Sequence, residues 1–152
     1  MGLLLPLLVF HWRVLRQEAI IPWDMPGHHL PLASAFADAL REGVLPLWEP
    51  YAYCGRPLLA NPQVMTFYPP MLACVLPGRE GLLYRLEWMG LLHVFFAAWL
   101  AFRLARRLGL ETAPALLTGL MFELGALPAS QAQHLSALCG MPWIVLAWTG
   151  LF

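Results

Sequence analysis

From Trp88 to Phe102 the chain runs without a charged residue, inside an apolar stretch that extends from Tyr84 to Arg103. A helix must supply about 20 mostly apolar residues to cross a hydrocarbon core roughly 30 Å thick, and this run has that length. Trp88 falls where an interfacial aromatic belongs. Two further runs share the character: Ala113 to Ala129, interrupted only by Glu123, and Leu135 to Phe152, which is uncharged. A fourth, beginning at Gly2, is broken early by His11, Arg13 and Arg16.

Composition points to the same solvent. Hydrophobic residues make up 60% of the chain and charged residues 12%, against about half and a quarter in ordinary soluble domains. Nine basic and nine acidic side chains are too few to cover a soluble exterior. The zero net charge carries no nucleic-acid footprint, so no nucleic-acid partner is expected. Cys54, Cys74 and Cys139 form no paired motif, which argues against a zinc site or a disulfide framework. The apolar N-terminus lacks a basic leader and a small-residue cleavage site, so a cleaved signal peptide is not expected.

The fold expected from these runs is all-α: a polytopic membrane fragment with about four transmembrane helices at residues 2–22, 84–103, 113–129 and 135–152. Residues 23–83 form a long extracytoplasmic loop. The chain stops inside an apolar run, which reads as a truncation. Arg103, Arg106 and Arg107 cluster in a short turn, and the positive-inside rule assigns that turn to the cytoplasm. The N-terminus is then inside and the long loop outside.

Within the loop one amphipathic helix is predicted. Leu32, Phe36, Leu40, Val44 and Leu47 fall within about 120° of one another at a helical repeat, with Ser34, Asp38, Arg41 and Glu42 opposite. Pro31 suits its first turn, and Gly43 with Pro46 stops it. Such a helix lies on the membrane or packs on a neighbour. From Leu45 to Pro70 six prolines force an irregular path, interleaved with Trp48, Tyr51, Tyr53, Phe67 and Tyr68. Met71 to Leu76 reads as a short interfacial segment.

The ordered run GVLPLW (Gly43 to Trp48), Glu49-Pro50-Tyr51, Gly55-Arg56-Pro57-Leu58-Leu59-Ala60-Asn61-Pro62-Gln63 and Phe67-Tyr68-Pro69-Pro70 resembles the bacterial YfhO-like membrane protein family. Members carry a similar G-x-x-P-L-W-N-P-Y, then G-x-P-L-L-A-N-P-Q and F-Y-P. Looser similarity extends from Asp24 through His93, Arg106 and Arg107, Phe122 to Gly125, and His134. Glu49 replaces the family's usual asparagine, and Glu123 stands where a neutral residue is expected.

That family looks like a branch of the GT-C type of glycosyltransferases. The resemblance implies the N-terminal part of a multi-pass enzyme of the bacterial cytoplasmic (inner) membrane. Its partners would be membrane lipid, a polyprenyl-phosphate-linked sugar donor and the rest of its own transmembrane domain, without which the fragment is expected to be inactive. The resemblance places Asp24 as general base toward the acceptor hydroxyl, or as a ligand to a divalent metal. A carboxylate near the membrane boundary is partly desolvated, which favours proton abstraction; the competing reading is a solvated carboxylate beside the Pro26-Gly27 turn. His28, four residues on, is the candidate second metal ligand.

Trp48, Tyr51, Tyr53, Phe67 and Tyr68 are candidates to stack on sugar, to line the lipid-phosphate cavity or to anchor the loop. Arg56 suits a donor phosphate. Glu49 offers a second carboxylate, and Asn61 and Gln63 either recognise sugar or hydrogen-bond the backbone. Within the spans, Glu123 and His93 are functional candidates because a charge in lipid costs roughly 2.5 to 3.5 kcal/mol; neutral histidine commonly bonds across helices instead. The reading from another class is a non-catalytic polytopic protein, a transport or assembly subunit that keeps the loop as a structural clamp.

Overall fold

A computed structural model describes residues 2–52 and 54–150. It is mostly helical and divides into two compact units, Met1–Ile20 with Gly90–Phe152, and Ile21–Met89. The first is built from α1 (Leu4–Phe10), α2 (Trp12–Leu15), the larger part of α5 (Leu82–Arg107), α6 (Thr112–Leu124), α7 (Ala126–Gln131) and α8 (Leu135–Thr149). The second holds α3 (Leu30–Arg41), β1 (Trp48–Glu49), β2 (Arg56–Pro57), α4 (Pro69–Val75) and the first turns of α5.

Among the described residues two helical stretches are long and apolar enough to cross a membrane, Leu82–Arg107 and Thr112–Gln131. They coincide with the expected runs at 84–103 and 113–129. The second bends at Gly125, whose extended backbone separates α6 from α7. The other two expected spans are shorter helices. α8 has 15 residues. The N-terminal run breaks at His11 into α1 and α2, and Gln17 turns left-handed with φ of 60° just beyond. At 1.5 Å per residue neither α1 nor α2 approaches the thickness of a bilayer core.

Apolar contact and close backbone approach organise the helical unit. Leu7 of α1, Val94 and Ala97 of α5, and Leu138 and Met141 of α8 form one buried cluster, with Phe95 and Phe122 packed against it. Leu100, Ala101 and Val145 form another, flanked by Phe96 and Phe122. Small residues let helices approach in a medium where burying apolar surface brings no gain over lipid. Gly119 on α6 is the tightest such point: a Cβ there would lie 2.9 Å from Leu3 Cδ2 and 3.0 Å from the Ala98 carbonyl oxygen. The leucine tip can move; the carbonyl of α5 cannot without moving its helix. Gly119→Val is therefore expected to cost about 1–3 kcal/mol, read as a lower melting temperature in detergent. An unchanged melting temperature would reject the close approach of α5 and α6.

In the loop unit, α3 buries Leu32, Ala33, Phe36 and Ala37 against α4 and the short turn Pro62–Val64. Met71, Val75, Leu82 and Leu86 complete that interior. Gly43 stops the helix as expected, while the apolar face expected to reach Val44 and Leu47 is shorter. α3 stops at Arg41 because Gly43 takes φ of 71°, so Val44 and Leu47 leave the apolar face and are exposed. The stretch Met71 to Leu76 lies in and just after α4, which buries Met71, Cys74 and Val75. Beyond α4, Arg79 forms two bonds to the Asp38 carboxylate on α3, and Arg85 gathers the carbonyls of Cys74, Gly78 and Glu80.

Candidate functional site

Asp24 opens a wide helical turn, Met25–His29, with π-type hydrogen bonding, which continues directly into α3. Pro26 suits its first turn, whereas Pro31, one turn on, has no N–H to give the preceding turn. Wide turns of this kind occur mostly as single insertions and frequently at functional sites. Trp23, immediately before, adopts φ of 71° with its indole exposed, a conformation a bulky side chain rarely takes. The approach to this turn is tied down by Glu87 near the start of α5, whose buried carboxylate accepts the Ile21 N–H at 2.6 Å. Asp24 itself is half-buried.

One turn along, His28 meets the proline-rich segment. Its Nε2 and Gln63 Oε1 lie 2.7 Å apart, in hydrogen-bond contact. His29 is buried beside it, the two imidazoles meeting edge to face at 5.4 Å. On the other side, Asn61 Oδ1 accepts the Gln63 N–H at 2.9 Å and caps the short turn Pro62–Val64. Asn61 thus holds the backbone, and Gln63 connects it to the Asp24 turn. Met65 takes φ of 54°, and the Tyr68 N–H closes the next turn on the Met65 carbonyl at 2.9 Å.

The remaining clamp residues form a small hairpin. β1 and β2 pair antiparallel, Trp48 opposite Pro57 and Glu49 opposite Arg56, and the Leu58 N–H donates to the Leu47 carbonyl at 3.0 Å. Glu49 is buried and occupied: its Oε1 accepts the Tyr51 N–H at 2.7 Å, its Oε2 accepts the Ala52 N–H at 2.9 Å, and Arg56 Nε lies 3.8 Å from Oε2. Trp48 and Tyr51 are exposed, as is Phe67. Tyr68 is half-buried. Tyr53 lies outside the described residues.

The structure therefore joins His28, Asn61 and Gln63 through hydrogen bonds, with Asp24 at the start of the turn that carries His28, while Glu49 and Arg56 lie against each other and Glu49 holds the hairpin backbone. Among the described residues no group of three or more His, Cys, Asp or Glu side chains converges as a metal set. Asp24 and His28 would offer an ion two ligands, and a nitrogen of His28 is already bonded to Gln63. That pair alone does not fit a resident divalent ion, and no step below is routed through one.

Three residues escape a reading of sequence. Glu87 lies one residue before the uncharged run and reads as its boundary. Asp38 and Arg79 each look like solvated charges, yet pair across the unit. In the helical unit Glu123 is buried, its carboxyl oxygens without a hydrogen-bond partner among the described residues; the Leu7 amide is near, outside bonding geometry. It does not reach a water boundary there. Burial pushes the Cys74 thiol up, partly opposed by the Arg85 guanidinium, whereas Cys54 is exposed.

No protein-family model, curated protein or solved structure matches this chain.

Proposed function

We propose that the chain is the N-terminal part of a GT-C-like membrane glycosyltransferase that moves a sugar from a polyprenyl-phosphate donor to an acceptor hydroxyl at the outer membrane face. The observation that supports this reading is the His28–Gln63 bond. It joins the Asp24 turn to the clamp, two pieces separated in sequence by α3. Asp24 accepts the acceptor's hydroxyl proton as that oxygen attacks the anomeric carbon. The bond to the carrier phosphate breaks with its electron pair, and the polyprenyl phosphate leaves. Backside attack of this kind inverts the anomeric centre. Water exclusion and orientation fall to the rigid clamp.

In this reading all four apolar runs cross the cytoplasmic membrane of a bacterium, the N-terminus is inside and the loop unit is outside. Cys54 provides the topological test. Only thiolate reacts with maleimide, so exposed Cys54 reacts fast, while buried Cys74, with its raised pKa, reacts slowly. A membrane-impermeant maleimide should label intact cells, and Cys54→Ser should remove most of that label. Labelling that requires permeabilised cells would overturn the orientation.

The competing reading, a non-catalytic transport or assembly subunit, draws on Glu49 and Asn61, whose polar atoms are used to hold the loop. The deciding experiment is transfer of labelled sugar from a polyprenyl-phosphate donor by membranes containing the full-length protein. Transfer that depends on the protein supports the enzyme; its absence across donor sugars favours the structural clamp.

A further inference from the structure

A groove of about 760 Å³ opens on the loop unit. One wall is the polar face of α3, with Ser34 and Asp38, and the other is the segment from Val44 to Ala52, with Trp48 and Tyr51; Arg79 closes one side. Its lining begins at Leu30 and Pro31, directly after the Asp24 turn, and includes none of Met25–His29.

The aromatic wall is prepared rather than incidental. Trp48 is 57% exposed, yet its ring is seated: a Cβ on Gly55 would fall 2.7 Å from Cζ2 and 2.9 Å from Nε1 of the indole. Gly55 has φ of 100°, a conformation and a clearance that only glycine supplies here. One edge of the indole therefore rests on bare backbone, pinned by the hairpin, while the remainder faces the groove. Tyr51, 95% exposed, stands on a backbone whose N–H is held by Glu49. An exposed aromatic surface fixed in advance loses little entropy when a flat ligand stacks on it.

The cation on the polar wall is paired. Arg79 Nε donates to Asp38 Oδ1 at 2.8 Å, and Nη2 donates to Oδ2, which holds the arginine charged and balances the carboxylate. Glu49 accepts two backbone amides, with Arg56 Nε 3.8 Å from its Oε2. Glu42 adds a further carboxylate to the lining, which favours no anion. The groove thus presents acceptors and donors side by side without a spare cation. A phosphate would find no uncompensated positive charge, whereas hydroxyl groups, each donor and acceptor at once, match a paired carboxylate and guanidinium.

We propose that this groove binds a neutral sugar ring, its C–H face on the Trp48 indole and its hydroxyls on the Asp38–Arg79 pair, and that it holds the acceptor glycan. The choice of the acceptor role rests on the sugar-transfer reading; the binding itself does not. Trp48 is a stacking platform, and Gly55 is the positioning residue that seats it.

Calorimetric titration of the full-length protein in nanodiscs tests this, using neutral six-residue oligosaccharides of glucose, galactose and N-acetylglucosamine, with inorganic pyrophosphate as the anionic comparison. At least one oligosaccharide should bind and pyrophosphate should not compete. Trp48→Ala should weaken binding at least tenfold, Trp48→Phe should retain most of it, and Asp38→Asn should weaken it several-fold. Retention by Trp48→Phe shows that the alanine variant loses a ring and not its fold. Failure of all three oligosaccharides, equal binding by Trp48→Ala, or competition by pyrophosphate would overturn the proposal. Oligosaccharide binding without any transfer activity would leave the groove standing and reject the transferase; transfer without oligosaccharide binding would do the reverse.

Discussion

Asp24→Asn in the full-length protein is expected to lower sugar transfer by about 10²- to 10⁴-fold, the range associated with removing a positioned general base. The amide keeps the shape and hydrogen-bonding reach of the carboxylate but cannot take the acceptor's proton. The loss should fall on kcat, with KM for either substrate little changed, because the missing interaction is made as the hydroxyl is deprotonated and not while substrate simply sits in place. Membrane insertion should be unaffected, since Asp24 lies outside both helices long enough to cross a bilayer. Protein amount in the membrane fraction and maleimide labelling at Cys54 provide that control. Transfer at the native rate in this variant would sink the assignment of Asp24. A fall confined to KM would make it a binding residue instead.

The helices long enough to cross a membrane were legible because their signal is cumulative: twenty apolar residues leave few alternatives, and α5 and the Thr112–Gln131 stretch both contain the expected runs. The first run carries its interruption at His11 in the sequence, but not the consequence, two helices each too short to cross a bilayer. His11 separates α1 from α2, and Gln17 turns the chain soon after. In α3 the stop signal at Gly43 and the apolar period point to different ends. Its apolar period continues through Val44 and Leu47, but Gly43 turns left-handed and ends the helix first, so a local backbone preference overrides the periodicity.

The candidate site was legible where its determinants are local. The Asn61 cap on Pro62–Val64 lies within a few residues, and a proline-flanked asparagine announces it. The pairing of Asp38 with Arg79 spans 41 residues, and nothing near either one distinguishes it from a solvated charge. Trp48 and Gly55 are closer in sequence, yet the reason for the glycine appears only when the indole is seen lying against it. Gln63 is informative for the opposite reason: its own neighbourhood reads as backbone support, while its side chain makes the long-range bond to His28 that joins the proline-rich segment to the Asp24 turn.

Glu49→Ala is expected to loosen the hairpin by about 3 kcal/mol, because truncating a buried carboxylate strands its partners instead of merely removing one contact. The Tyr51 and Ala52 amides both lose their acceptor, and Arg56, whose side chain is 20% exposed, loses its counter-charge. Hydrogen exchange at those two amides should accelerate about 100-fold, while exchange within α3 stays nearly constant. Glu49→Gln should fall between, since its amide oxygen still accepts one N–H. Unchanged exchange at Tyr51 and Ala52 in the alanine variant would show that the carboxylate does not hold this loop. The same variant separates positioning from contact in the neighbouring groove. If Trp48 binds a sugar because the hairpin presents it rigidly, Glu49→Ala weakens oligosaccharide binding together with faster exchange, whereas Asp38→Asn weakens binding with the exchange of Tyr51 and Ala52 unaltered.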